Sequence, residues 1–322
     1  MVSFRCIICN DSSLPTEVID HIKGDPIGTL TAVRCSSCGH IQLDPPEYSL
    51  DFYEENGQVN NVMRMYGTPM NVLVEHSWIE ARRRVQRFAN YDIQLVRGDR
   101  PLRVLDIGGG YGFFAAELMR AVPGIEVVVV EPSTARVALG KTYLAEAGPG
   151  TPVPEFLSEI VDEAFATRHA RTFDIVTLWH VLEHLIDPVG LLRHAARLVR
   201  GDGVVCVEVP NVDDELQALS PSFRERSFMA EHISYFSSHT LETAARRAGA
   251  FGHVNVHGYQ RYGIFNYFHW IHTNKPQGVN PDLFEGTDRW WLEATWRAAR
   301  ESARTSDALL MVARPPQGGL NP

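Results

Sequence analysis

Val104-Leu105-Asp106-Ile107-Gly108-Gly109-Gly110-Tyr111-Gly112-Phe113 carries an apolar run into an acid and then into a cluster of glycines. Helical spacing starts at once in Phe113-Phe114-Ala115-Ala116-Glu117-Leu118-Met119. The order is strand, tight turn, helix, which is the context a glycine-rich ligand loop requires. Glycine permits positive φ there and lets a ligand approach the backbone where a Cβ would collide. Downstream, Val127-Val128-Val129-Val130 forms a second buried strand ending in Glu131. A carboxylate at that point can accept hydrogen bonds from both hydroxyls of a ribose lying across the switch point of a parallel sheet.

Dinucleotide folds and S-adenosylmethionine (SAM) folds both fit this much, and the details separate them. The loop Gly108-Gly109-Gly110-Tyr111-Gly112 is G-x-G-x-G and lacks the third glycine at the spacing a pyrophosphate-binding helix wants. Asp106 stands just before the turn, where an anion would repel a pyrophosphate but can serve an amino-acid ammonium, directly or through water. Asp-Ile-Gly-Gly-Gly-Tyr-Gly is followed by Val-Val-Glu-Pro and then by Phe173-Asp174-Ile175-Val176-Thr177-Leu178-Trp179-His180-Val181-Leu182-Glu183-His184. In that order the three motifs resemble the class I SAM-dependent methyltransferases, above all the small-molecule branch whose fourth strand runs into "HVLEH". The resemblance covers residues 101 to about 212. It implies SAM as cofactor, held by Asp106, Gly108, Gly110, Tyr111, Glu131, Trp179 and His180.

The strand readings agree with it. Strands are expected at 102–107, 125–131, 155–157, 173–179 and 203–209, with two closing strands at 251–264 and 307–314. Helices are expected at 112–121, 132–147, 187–199 and 238–249. Alternating strands and helices with β-branched, buried strands mean an α/β fold, a doubly wound, mostly parallel seven-stranded Rossmann-like sheet. Three sections are expected: a zinc-binding module at 1–45, a linker and helical lid at 46–98, and the SAM-binding core at 99–322.

The zinc module rests on Cys6-Ile7-Ile8-Cys9 and Cys35-Ser36-Ser37-Cys38-Gly39, two C-x-x-C pairs 25 residues apart. They supply four thiolates for a tetrahedral, structural Zn²⁺, and the glycine after Cys38 suits the tight turn of a knuckle. From Met1 to Asn60 there are three basic residues against nine acidic ones. Such a surface repels phosphates, so the module reads as a lid or substrate wall and not as a nucleic-acid reader. The net charge of the chain, −9, points the same way. No apolar run approaches the roughly 20 residues of a membrane span, and the N-terminus has no signal-peptide pattern; no membrane partner and a cytoplasmic location are the expectation.

Tyr53 and Tyr66 are read as part of a flap over the ligand site. Residues 71–90 form an amphipathic helix, with Val74, Trp78, Val85 and Phe88 on one face and Arg82, Arg83, Arg84 and Arg87 on the other, read as a solvated face, with contact to an anionic substrate group as the alternative. The aromatic stretch Gln260 to Trp270 is expected to be core in preference to a stacking floor, Cys206 a buried small hydrophobe, and the tail from Pro315 frayed.

Methyl transfer is an in-line displacement, so the protein must position a nucleophile and remove its proton. The candidate groups are His180, Glu183, His184, Glu231, His232 and His239. Glu231-His232, in Glu-His-x-x-Tyr-Phe-Ser, resembles a stretch of the zinc-containing sugar C-methyltransferases of deoxysugar biosynthesis, where a Tyr-x-Glu-His run supplies the proton acceptor. The resemblance implies His232 as base, with Glu231 as its orienting carboxylate and an imidazole near pKa 6.5. It departs at Met229, which stands where that family has tyrosine, and the 322 residues hold no counterpart of its second C-terminal α/β domain. The expected acceptor is a small polar molecule, a nucleotide-linked sugar or glycan unit. Alternatives are another natural product, an rRNA base, or a scaffold protein that keeps the fold without the catalysis; the intact cofactor loop opposes the last.

Overall fold

Three short strands, β1 (Glu17–Ile19), β2 (Thr31–Arg34) and β3 (Ile41–Asp44), open the computed structural model, which describes residues 4–25, 28–46, 70–91, 93–95, 100–275, 287 and 289–316. Residues 47–69, with Tyr53 and Tyr66 and their expected flap, lie outside the described residues, as do 317–322 of the tail. Helix α1 (Met70–Asn90) leads to the core. There β4 (Arg103–Ile107), α2 (Phe113–Ala121), β5 (Glu126–Val130), α3 (Thr134–Glu146), β6 (Glu155–Leu157) and α4 (Glu163–Arg168) alternate. They are followed by β7 (Phe173–Trp179), a 3-10 turn at Leu182–His184, α5 (Pro188–Leu198) and β8 (Val199–Pro210). Two short helices, α6 (Leu216–Leu219) and α7 (Pro221–Ser227), precede β9 (Ser234–Tyr235) and α8 (Ser238–Ala248). The chain closes with β10 (His253–Tyr259), α9 (Ile264–Thr273), α10 (Trp290–Ala303) and β11 (Ala308–Arg314).

Seven strands form one sheet in the order β10-β11-β8-β7-β4-β5-β6. The pairs among β8, β7, β4, β5 and β6 are parallel, and β11 runs antiparallel to both β8 and β10. This is the mixed, doubly wound sheet of a class I methyltransferase fold. β8 starts earlier than the Gly201-Asp202-Gly203 entry implies. A register shift between Phe173 and Ile175 absorbs the extra residues, and Gly203 fits because a Cβ there would sit 2.5 Å from the Asp174 carbonyl oxygen. Strand alternation divides the core between the faces. Leu105, Val128 and Val176 pack on one side, and Val104, Val127, Val129 and Ile175 on the other.

The N-terminal strands do not stand apart. They form a second, antiparallel sheet in the order β1-β2-β3-β9, completed by a strand from residues 234–235. Phe4, Cys6, Ile8, Val33 and Cys35 also share a hydrophobic cluster with Leu178, Leu192 and Leu241 of the large domain. Residues 264–273 are a helix, not the end of a strand, and the aromatic stretch is only partly core. Asn266 and Trp270 are buried, while Phe265, Phe268 and Ile271 face outward. Cys206 is fully buried, as expected. Among the described residues no helix is long and apolar enough to cross a membrane.

Candidate active site

The carboxyl ends of β4, β5, β7 and β8 bring Gly108, Glu131, His180 and Asn211 to one edge of the sheet. Gly108 and Gly110 adopt φ of 66° and 56°, the left-handed region that glycine enters without cost. Gly109 is tighter still: a Cβ there would lie 2.4 Å from Asp106 Oδ2 and 2.8 Å from Val129. Glu131, buried at the end of β5, accepts from Gly110 N and Ser133 N, both at 3.1 Å, which fixes its carboxylate beside the loop.

Asp106 accepts from Thr177 Oγ1 at 2.7 Å through one oxygen. Its other oxygen, Oδ2, is buried without a hydrogen-bond partner among the described residues, as are Tyr111 Oη and Trp179 Nε1. Burial pushes the Asp106 carboxyl up to about 7. Asp106, Gly108, Gly110, Tyr111 and Trp179 line one cavity together with Arg84. A neighbouring trough shares Gly108 and holds Glu131, Val161, His180, His184 and Leu185. The two form one groove suited to a long ligand, with an anionic, polar end at Asp106 and an apolar end at Val161 and Leu185. The buried atoms without partners at Asp106, Tyr111 and Trp179 are what a ligand with an ammonium and a carboxylate would satisfy, so the residues fit SAM.

Arg84 overturns the expectation of a solvated basic face on α1. Its guanidinium lies 3.4 Å from Glu208 Oε1 and 5.2 Å from the centre of the Trp179 ring. A fully buried glutamate on β8 draws it inward, because an unpaired buried carboxylate is costly. The signal was present in the sequence as an acid interrupting the apolar run 204–209.

His180 has a φ of 56°, uncommon for a residue with a side chain. Its Nδ1 lies 2.9 Å from Glu183 Oε1 and its Nε2 2.8 Å from Glu208 Oε1. Burial and the nearby Arg261 charge oppose protonation, but the two carboxylates prevail and the imidazole is shifted up. Glu183 is correspondingly held down at about 2: burial, the largest single effect, would raise it, but the bond to His180 and the charges of His180, His184 and His232 together outweigh that. Glu183 Oε2 has no hydrogen-bond partner among the described residues.

His184 Nδ1 is 2.7 Å from the Glu231 carbonyl oxygen, and its ring centre is 4.9 Å from that of His232 in an edge-to-face contact. One ligand atom each from Glu183, His184 and His232 lies within 4.8 Å of the others, a spacing a cation can bridge. One part of the sequence expectation for His232 changes. Burial, reinforced by His184, pushes its imidazole down to about 3, so it is neutral but weakly basic. The Glu183 carboxylate, from the turn after β7, also acts on it, opposing that fall. His239 is exposed at the start of α8.

His232 opens onto a second cavity lined by Arg226, Tyr235, Arg261, Tyr262, Tyr267 and Trp270. Tyr235 donates its hydroxyl to the Met229 carbonyl at 2.8 Å and accepts from Met229 N at 3.0 Å. A phenol therefore lies against residue 229 although the side chain there is methionine. Arg226, Arg261 and Asp307 were not found from the sequence, because their meeting depends on how α7, α9 and β11 pack.

The four N-terminal cysteines converge. Cys6 and Cys38 Sγ are 3.6 Å apart, as are Cys9 and Cys35 Sγ, and all four lie within 4.8 Å of one another. A tetrahedron with Zn–S bonds of about 2.3 Å has edges of about 3.8 Å, so the thiols fit a zinc ion. Asn10 and Gly39 take equivalent left-handed positions one residue after each pair, with φ of 63° and 73°.

Residues 75–250 match the family described as methyltransferase domain. The chain belongs to that family. Among relatives, the ubiquinone biosynthesis O-methyltransferase of Nitrosomonas europaea is 31% identical over 116 residues, 36% of this chain and 47% of that protein. The enzyme of the same name from Ralstonia nicotianae is 35% identical over 103 residues, covering 32% and 41%. The chain thus spans less than half the length of these curated relatives. Among solved structures, a SAM-dependent methyltransferase from Archaeoglobus fulgidus is 16% identical with a TM-score of 0.48, covering 78% of this chain and 97% of that one. A possible histamine N-methyltransferase from Thermotoga maritima is 14% identical with a TM-score of 0.49, covering 82% and 98%.

Proposed function

We propose that the methyltransferase acts on a small polar acceptor, a sugar or glycan unit, seated in the cavity beside His232, and that His232 is the proton acceptor. The observation that carries the reading is the His184–His232 pair. His184 lines the cofactor groove, His232 lines the second cavity, and the rings are in contact between them. A proton leaving an acceptor on the far side has His232 as its neighbouring imidazole. Bound SAM supplies an electrophilic methyl. Asp106 and the glycine loop hold the amino-acid end, and Glu131 holds the ribose hydroxyls. His180, with both ring nitrogens engaged by carboxylates, fixes the loop that carries Glu183 and His184 and leaves the base role to His232. Glu183 stabilises the imidazolium that His232 becomes.

Cys6, Cys9, Cys35 and Cys38 bind a structural Zn²⁺ in this reading. Residues 1–45 form the zinc module, 46–98 the linker and lid, and 99–322 the catalytic core. The resemblance of Glu231-His232 and of the zinc module to sugar C-methyltransferases supports a carbohydrate acceptor. The aromatic walls at Tyr262, Tyr267 and Trp270 suit a ring. A phenolic acceptor is the second reading, favoured by the relatives named for ubiquinone biosynthesis and by the same walls. Radiolabelled methyl transfer from SAM to nucleotide-sugars and, in parallel, to catechols separates the two. Labelled sugar supports the first reading, whereas label confined to the catechols sinks it.

A further inference from the structure

Charge at the second cavity is unevenly compensated. Two acidic and two basic side chains line it: Asp214, Arg226, Arg261 and Asp307. Asp214 is 2.8 Å from Arg300 Nη2, and Asp307 is 3.5 Å from Arg261 Nε. Arg261 also faces Glu208 at 3.9 Å. Arg226 is the lining group left over: among the described residues it makes no ion pair. Its neighbour on α7, Arg224, is taken by Glu17 at 2.9 Å. The Arg226 guanidinium is instead set 6.0 Å from the centre of the Trp270 ring, and Phe223 meets that ring edge-on at 5.2 Å. Trp270 is itself buried, so the arginine is held on a rigid platform.

In a chain of net charge −9, a cavity whose one charged side chain without an ion pair among the described residues is a guanidinium set over a buried tryptophan is built for an anion. We infer that the acceptor carries an oxyanion group, a carboxylate or a phosphate, which Arg226 binds while the ring lies among Tyr262, Tyr267 and Trp270. The inference rests on the second cavity being the acceptor site, as proposed above. A guanidinium presents two parallel N–H donors to either oxyanion, and its planar fork gives orientation as well as attraction. Arg226 would thereby determine specificity, choosing acidic acceptors over neutral ones of the same shape.

The test uses the full chain with its zinc, saturated with S-adenosylhomocysteine, and two matched pairs of probes. Glucose against glucose 6-phosphate tests the phosphate, and catechol against 3,4-dihydroxybenzoate tests the carboxylate. Affinity is read from tryptophan fluorescence and calorimetry. The charged member of at least one pair should bind roughly tenfold or more tighter than its neutral partner. Arg226→Gln should abolish that preference, Arg226→Lys should keep part of it, and affinity for S-adenosylhomocysteine should stay as it was. The pair showing the preference identifies the oxyanion. Equal affinities within both pairs, no binding of any probe, or a preference that survives in Arg226→Gln would overturn the inference. If the preference holds while His232→Ala turns over normally, the base assignment fails and the anion site stands.

Discussion

Asp106 gives the most direct test at the residue scale. Its buried carboxyl titrates near about 7, and an ammonium beside it favours the ionised form. SAM affinity should therefore rise with pH through that value and level off above it, falling up to about tenfold per pH unit below. Calorimetric Kd values from about pH 5.5 to about 8.5 check this, and Asp106→Asn should bind weakly with a flat profile. His232 makes the opposite kind of prediction. Held down at about 3 by burial, it is already neutral throughout the ordinary range. The rate should show no acid limb from this residue near 6.5, where an ordinary histidine would produce one. His232→Ala should lower kcat by roughly 10²- to 10⁴-fold with SAM affinity unchanged, and Glu183→Gln should lower kcat by a smaller factor. Loss of SAM affinity along with kcat in His232→Ala would mean that the ring supports the groove and does not take the proton.

At the scale of elements, the decisive one is the two-residue strand β9. It pairs with β3 of the N-terminal sheet through Ile41–Tyr235 and Gln42–Ser234, two residues after His232. A parallel bridge from Lys23 to Met229 adds a second tie on the other side of Glu231-His232. The four-cysteine cluster therefore holds the segment that carries the proposed base, even though it touches no acceptor. Chelating the zinc, or Cys9→Ser, should lower Tm by roughly 5–10 °C and depress kcat, while SAM affinity, which depends on β4, β5 and β7, persists. Unchanged turnover in metal-stripped protein would show that the small sheet holds its shape without the ion.

For the whole molecule, the hydrophobic cluster joining Phe4, Ile8 and Val33 to Leu178, Leu192 and Leu241 predicts cooperative behaviour. The N-terminal cysteine-bearing sheet and the core should unfold in one transition, with calorimetric and van't Hoff enthalpies equal. Deleting residues 1–45 should aggregate the remainder, because it uncovers that cluster and leaves β9 without its neighbour. A soluble, SAM-binding core after the deletion, or two separated thermal transitions, would show that the modules are energetically independent.

The sequence by itself determined the alternation of strands and helices, the cofactor loop and the four cysteines, because each is a local pattern. Strand periodicity, left-handed glycines and C-x-x-C spacing follow from neighbours along the chain. β7 falls at 173–179 as read, and most other core elements fall within a residue or two of their readings. What only the tertiary structure decided involves partners far apart in sequence. Arg84 turns inward because Glu208, 124 residues away, is buried without solvent to pay for its charge. His232 comes within reach of Glu183 and His184, since the 3-10 turn after β7 and the loop before β9 meet only when both sheets are assembled. Arg226 makes no ion pair among the described residues because Asp214 and Asp307 are claimed by Arg300 and Arg261 from other elements. Local periodicity says which face of an element is apolar, but which charge meets which is settled by the competition for partners inside the folded chain.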